Sequence, residues 1–186
     1  MTNRTILWRR VDLPGLECAQ LASRPPEWHL TGTAVFVHDA RPCRLDYAVV
    51  CDATWRTMSV RIAGWMGPEP VTVDIVVDPP GVWRLDGESC DAVRGCVDVD
   101  LSFSPSTNVL PIRRLDLPVG RFADVRAAWL RFPQLTLEPL DQRYQRIRPM
   151  TYRYESGGGA FTADLEVNAA GFVTEYPGLW EAEAVG

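Results

Sequence analysis

The stretch Arg44-Leu45-Asp46-Tyr47-Ala48-Val49-Val50-Cys51-Asp52 sets Leu45, Tyr47, Val49 and Cys51 on one parity, against Arg44, Asp46, Ala48, Val50 and Asp52 on the other. Successive side chains of a strand point to opposite faces, so this is a strand with one apolar face and one that meets water. The same rhythm returns along the chain. Met58, Val60 and Ile62 alternate with Ser59, Arg61 and Ala63, and Val71, Val73, Ile75 and Val77 with Thr72, Asp74, Val76 and Asp78. Val97, Val99, Leu101 and Phe103 alternate with Asp98, Asp100, Ser102 and Ser104, and Phe161, Ala163, Leu165 and Val167 with Thr162, Asp164 and Glu166. Turn residues separate the runs at Gly67-Pro68, Asp78-Pro79-Pro80-Gly81, Asp86-Gly87, Ser156-Gly157-Gly158-Gly159 and Asn168-Ala169-Ala170-Gly171. The expected fold is all-β, a long antiparallel meander of short strands.

One segment departs from period two. Phe122, Val125, Trp129 and Phe132 recur at three-to-four spacing and stop at Pro133, which predicts a single short helix of about two to three turns. No composition shift divides the chain, so residues 1–186 are expected to form one domain with that helix laid against the sheet.

With 186 residues, 46% of them hydrophobic, the chain can bury a sizeable core, and intrinsic disorder is excluded. No apolar run approaches the roughly 18 to 20 residues of a membrane-spanning helix. The net charge of −5 argues against a duplex nucleic-acid binder that works by phosphate neutralisation. All 19 basic residues are arginine, so neither a Schiff-base lysine nor a P-loop lysine exists. Five cysteines without CxxC spacing, and no apolar signal segment after Arg9 and Arg10, lead us to expect a cytoplasmic protein with reduced thiols.

Four groups of residues bear on chemistry. His29 and His38 stand nine positions apart on one expected strand, so they point to opposite faces and do not share a site. No metal and no cofactor are expected. Asp98 and Asp100 project from one face of a strand with Cβ atoms about 6 to 7 Å apart, a pair suited to acid–base hydrolysis of a glycoside or to binding a polar ligand. The plainer reading turns both to water while Val97, Val99 and Leu101 face the core. The strip Gln142-Arg143-Tyr144-Gln145-Arg146-Ile147-Arg148, with Tyr152-Arg153-Tyr154 after it, puts Tyr144, Arg146 and Arg148 on one face, as a phosphate, sugar or base would need. The plainer reading is a solvated outer face. Seven tryptophans, Trp55 and Trp180 among them, offer plates for sugar stacking or for a lipid cavity.

The stretch Asp98-Val99-Asp100-Leu101-Ser102-Phe103-Ser104-Pro105-Ser106-Thr107-Asn108-Val109-Leu110-Pro111-Ile112-Arg113-Arg114-Leu115 resembles the signature of a bacterial family described as glycolipid-binding. Trp8-Arg9-Arg10, Pro14-Gly15-Leu16-Glu17, Tyr47 to Trp55, Gln142-x-Tyr144-x-Arg146 and Tyr176-Pro177-Gly178-Leu179-Trp180 agree with it, so the resemblance covers nearly the whole chain. It implies a meander curled into a half-barrel, similar in shape to the lipoprotein localisation factors, and it carries no established catalytic residues.

A curled sheet that one helix cannot fill leaves an apolar hollow for an acyl chain. The expected function is therefore non-catalytic binding of a lipid or glycolipid on the concave side. Its expected contacts are Asp98, Asp100, Thr107, Asn108, Arg113, Tyr144, Arg146, Trp55 and Trp180. In an extended segment Arg113 shares parity with Leu115 and Leu117, so Arg113 should face inward and need Asp98 or Asp100, while Arg114 pairs outside. The alternatives are a glycoside-type hydrolase using Asp98 and Asp100, and a structural or interaction module without a ligand.

Overall fold

The computed structural model describes residues 4–186. One sheet of 15 strands dominates it. The first arm is a meander of β1 (Arg4–Arg10), β2 (Gly15–Arg24), β3 (Glu27–His38), β4 (Arg41–Cys51), β5 (Thr57–Met66), β6 (Glu69–Asp78), β7 (Val82–Leu85) and β8 (Glu88–Ser89). The second arm holds β10 (Phe122–Arg131), β11 (Thr136–Arg148), β12 (Thr151–Ser156), β13 (Phe161–Val167), β14 (Val173–Tyr176) and β15 (Trp180–Val185). β15 pairs with β1 and so joins the two arms in the middle of the sheet. β9 (Asp98–Leu101) adds to the far edge, parallel to β10, in a sheet whose other pairings are antiparallel.

That order makes the sheet curl. β8 and β9 lie at opposite edges but are consecutive in the chain, and the eight residues between them have to cross from one edge to the other. Trp83 Nε1 donates to the Cys96 carbonyl at 3.1 Å, which ties the crossing to β7. The outer edge of β9 then meets the start of β5, where Thr57 N donates to Val97 O at 3.1 Å and Thr57 Oγ1 accepts from Val99 N at 3.0 Å. A β-edge left open would invite pairing with another chain; here it is covered.

The period-two stretches lie where their patterns place them. Cys43, Leu45, Tyr47, Val49 and Cys51 all face the interior, as do Val60 and Ile62 of β5 and Val71, Val73 and Ile75 of β6. Met58 does not: a register shift between Val50 and Cys51 turns Thr57 inward and leaves Met58 exposed. β4 and β5 approach so closely that a methyl group at Gly64 would overlap the Arg44 carbonyl oxygen. We expect Gly64→Ala to cost about 1 to 3 kcal/mol by overpacking, measured as a lower urea midpoint with unchanged slope.

The helix is not where the sequence pattern puts it. Residues 122–131 form β10, hydrogen-bonded to β9 on one side and β11 on the other. Ala127, Ala128 and Leu130 are buried, but Phe122 is exposed and Val125, Trp129 and Phe132 are half-buried, so the helical spacing of those four does not mark a buried face. The helix is α1 (Val109–Leu115), inside the signature stretch, with Pro111 in its first turn, where no backbone donor is needed. Two apolar clusters flank it. The larger includes Trp8, Phe36, Tyr47, Phe103, Val109 and Leu110, and the smaller Ile112, Leu117, Tyr144, Tyr152, Tyr154 and Leu165.

The concave side is therefore largely occupied. Residues 103–112 are buried without a break, so the protein fills most of the expected trough with its own signature segment. No helix among the described residues is long and apolar enough to cross a membrane.

Candidate functional site

The signature segment runs inside the curl because it satisfies its own polar groups. Thr107 Oγ1 accepts from Leu101 N at 3.2 Å, Ser104 Oγ accepts from Ser106 N at 3.1 Å, and Asn108 Nδ2 donates to Pro105 O at 3.1 Å. Tyr144 reaches over from β11 and donates to Asn108 Oδ1 at 2.8 Å. Buried polar atoms are tolerated when paired in this way, which explains a Ser- and Thr-rich run in the interior.

A cleft of about 480 Å³ remains beside this plug, within the size range of small-molecule sites. Its walls are aromatic. Trp129, Tyr154, Phe161, Tyr176 and Trp180 line it, and the last turn before β13, through Gly157 and Ala160, forms its exposed rim. Tyr154, Phe161 and Tyr176 make a cluster with ring centroids 6.0 to 6.2 Å apart. Asp100, Ser104 and Asn108 of the signature segment supply the polar wall.

Asp100 accepts a hydrogen bond from Gln142 Nε2 at 2.6 Å and has no cation within ion-pair distance among the described residues. Burial pushes its carboxyl up to about 6, with the Gln142 amide pulling the other way. It offers a hydrogen-bond acceptor of adjustable charge in an apolar cleft.

Behind Ser104 stands Glu17, 1% exposed. Tyr47 Oη and Ser104 Oγ donate to its Oε1 at 2.6 and 2.5 Å, while its Oε2 has no partner. Burial pushes Glu17 up to about 7 against the pull of both hydroxyls. Among the described residues no group of three His, Cys, Asp or Glu side chains is arranged to hold a metal ion.

Of the expected contacts, Asp100, Asn108 and Trp180 meet in the cleft. The others lie elsewhere. Asp98 does not face water: it is 1% exposed and takes a bidentate pair of hydrogen bonds from Arg114. A helix and not a strand carries the two arginines, so Arg114 and not Arg113 is the residue aimed at Asp98, and Arg113 has no carboxylate partner among the described residues. Thr107 and Tyr144 are consumed in holding the plug.

Arg146 donates to the carbonyls of Leu117 and Pro149 at the far end of β11, and a bulge between Arg146 and Arg148 breaks the expected common face. Trp55 stacks on Trp28 with centroids 4.2 Å apart, outside the cleft, and Arg113 lies over its ring. His29 and His38 are separate, one on Glu27 and the other on Asp39.

The residues that sequence reasoning missed are Ser104, Trp129, Tyr154, Phe161 and Tyr176, with Glu17 behind them. Glu17 had a legible signal, since it shares parity with the buried Ala19 and Leu21 on β2. Tyr154 had one too, in the Tyr152-Arg153-Tyr154 alternation that buries both tyrosines.

The comparisons with known proteins agree with the fold. A crystal structure of a DUF1089-family protein from Pseudomonas aeruginosa is 32% identical, covering 90% of this chain and 91% of that one, with a TM-score of 0.77. No curated protein matches the chain. The family described as "Putative glycolipid-binding" matches residues 5–182, from β1 into β15 and through the whole plug. On that match across nearly its full length, the chain belongs to the family so described.

Proposed function

We propose that the protein binds a lipid or glycolipid without turning it over, with the apolar part among Trp129, Tyr154, Phe161, Tyr176 and Trp180 and the polar part against Asp100, Ser104 and Asn108. The observation that carries this reading is a carboxylate without a cation set in an aromatic-walled cleft of about 480 Å³. An anion so placed is best satisfied by ligand hydroxyls, which a sugar supplies in number. Aromatic rings suit both a sugar's apolar face and an alkyl chain.

The cleft takes part of an acyl chain, not the whole trough first expected. About six buried methylenes contribute about 5 kcal/mol before ordering and association costs, so the head group has to supply the rest of a useful affinity. Two-carboxylate hydrolysis is disfavoured because Asp98, the second acid it needs, is saturated by Arg114. The expected setting is cytoplasmic handling of an amphiphile.

Calorimetric titration with octyl glucoside below its micelle concentration tests the proposal. We expect binding that free glucose does not match, and at least a tenfold loss, about 1.4 kcal/mol, in Ala160→Phe, which narrows the exposed rim. Native mass spectrometry of protein from its own host should also show a lipid-sized adduct that organic extraction removes. No heat with octyl glucoside and no adduct in repeated preparations would overturn the reading.

A further inference from the structure

At the other end of the second arm a small pocket of about 90 Å³ opens among the end of α1, the β11–β12 turn and the β13–β14 turn. The pocket and the aromatic cleft share no lining residue, although Tyr152 of the one and Tyr154 of the other are two positions apart on β12. The pocket is far below the roughly 300 Å³ at which sites for drug-sized molecules begin. Arg113 and Arg146 line it together with Tyr152, Asn168 and a single acid, Asp116, and one face of the Arg113 guanidinium lies over the Trp55 ring with Cζ 5.4 Å from its centroid. Neither arginine has a carboxylate within ion-pair distance among the described residues, Asp116 included, whereas the other signature arginine, Arg114, is fully paired.

Both cations are held in place. Arg146 is fixed by three hydrogen bonds to main-chain carbonyls, of Pro149 at 2.7 and 3.2 Å and of Leu117 at 2.9 Å, which orient its charge without neutralising it. The stem of Arg113 lies against Gly171, where a Cβ would come 3.0 Å from Arg113 Cδ, and Gly171 has φ +90°. The absent side chain thus leaves room for the Arg113 stem beside the pocket. Arg113 Nε is buried and has no hydrogen-bond partner, a state that is costly for a charged group unless something satisfies it. Asn168 Oδ1 accepts from the backbone N–H groups of Ala170 and Phe172, which leaves its amide N–H groups as further donors at the rim.

We propose that this pocket binds one tetrahedral oxyanion, a phosphate monoester, through the Arg113 and Arg146 guanidinium groups. Planar guanidinium forks match phosphate oxygens in pairs, and the lining carries two positive charges against one negative. The site is independent of the aromatic cleft, so failure of either leaves the other standing.

The test follows the Arg113 Nε–H resonance during titration with inorganic phosphate at constant ionic strength, with chloride as control. Millimolar phosphate should shift that resonance saturably, and Arg113→Gln should weaken binding about tenfold or more while its chloride-only melting temperature stays close to that of the unaltered protein. A second titration with octyl phosphate separates the sources: tighter binding than inorganic phosphate identifies a lipid head group, and equal binding a free phosphoryl compound. An Arg113 Nε resonance that neither ligand moves would overturn the proposal, as would Arg113→Gln protein that binds phosphate with unchanged affinity.

Discussion

Arg114→Met is expected to destabilise the protein by about 3 to 5 kcal/mol, the cost typical of leaving one partner of a buried ion pair alone. Asp98 is 1% exposed and receives both of its strong hydrogen bonds from Arg114, so the variant strands a carboxylate in the interior. The pair also anchors α1 to β9, which means the whole plug loosens with it. Burial already raises the Asp98 carboxyl above its ordinary value against the pull of Arg114. Without that cation it rises further, and the defect should shrink in acid as Asp98 takes up a proton. Adding Asp98→Leu should recover most of the loss, since apolar replacement of a buried pair is often neutral. Urea denaturation of the two variants checks this. A loss below about 1 kcal/mol in Arg114→Met, in the range of an exposed ion pair, would show that the plug is not anchored at this point.

The second large effect is a fall in stability as pH rises through the region where most proteins are at their best. Glu17 has an ordinary value of 4.5 and is pushed by burial to about 7 in the folded protein. Between those two values the native state binds a proton that the unfolded chain has released, so unfolding stability decreases with pH across that window and is flat on either side. At about 1.36 kcal/mol per pH unit, the loss is about 3 kcal/mol between pH 4.5 and 7. Asp100 acts with the same sign between 3.8 and about 6.

Glu17→Gln should therefore flatten the upper part of the profile, with little change near pH 7 and above in the slope of either protein. Denaturation midpoints at half-unit steps from pH 4 to 8 would read it directly. A stability profile that rises from pH 5 to 7 in the unaltered protein, and is unchanged in Glu17→Gln, would refute the assignment. The effect has a bearing on the site, because Glu17 holds Ser104 and Ser104 lines the cleft. Protonation of Glu17 and Asp100 together removes negative charge from the plug and from the wall beside it.

Most of the sheet was legible because strands such as β4, β6 and β13 each have one covered and one wet face, and that contrast is written residue by residue. Where both faces are covered the code falls silent. β9 is covered on both faces, so Asp98 read as a surface residue, whereas β10 alternates exposed and half-buried residues up to Arg126, and the spacing of Phe122, Val125, Trp129 and Phe132 read as a helix without marking a buried face. The true helix gave no periodic signal, since Val109, Leu110, Pro111 and Ile112 are buried one after another.

Local chemistry by itself determined an all-β chain, its apolar parities and many of its turns, because alternation and turn geometry depend on neighbours a few residues away. The signature resemblance pointed to the stretch that supplies the polar wall of the cleft. Only the tertiary structure decided that this stretch fills the concave side, that Arg114 and not Arg113 meets Asp98, and that Asp100 shares a cleft with Trp180. Those outcomes depend on the β8-to-β9 crossing and on the pairing of β15 with β1, which bring together residues far apart in the chain. Burial then fixes what each polar group has to find as a partner.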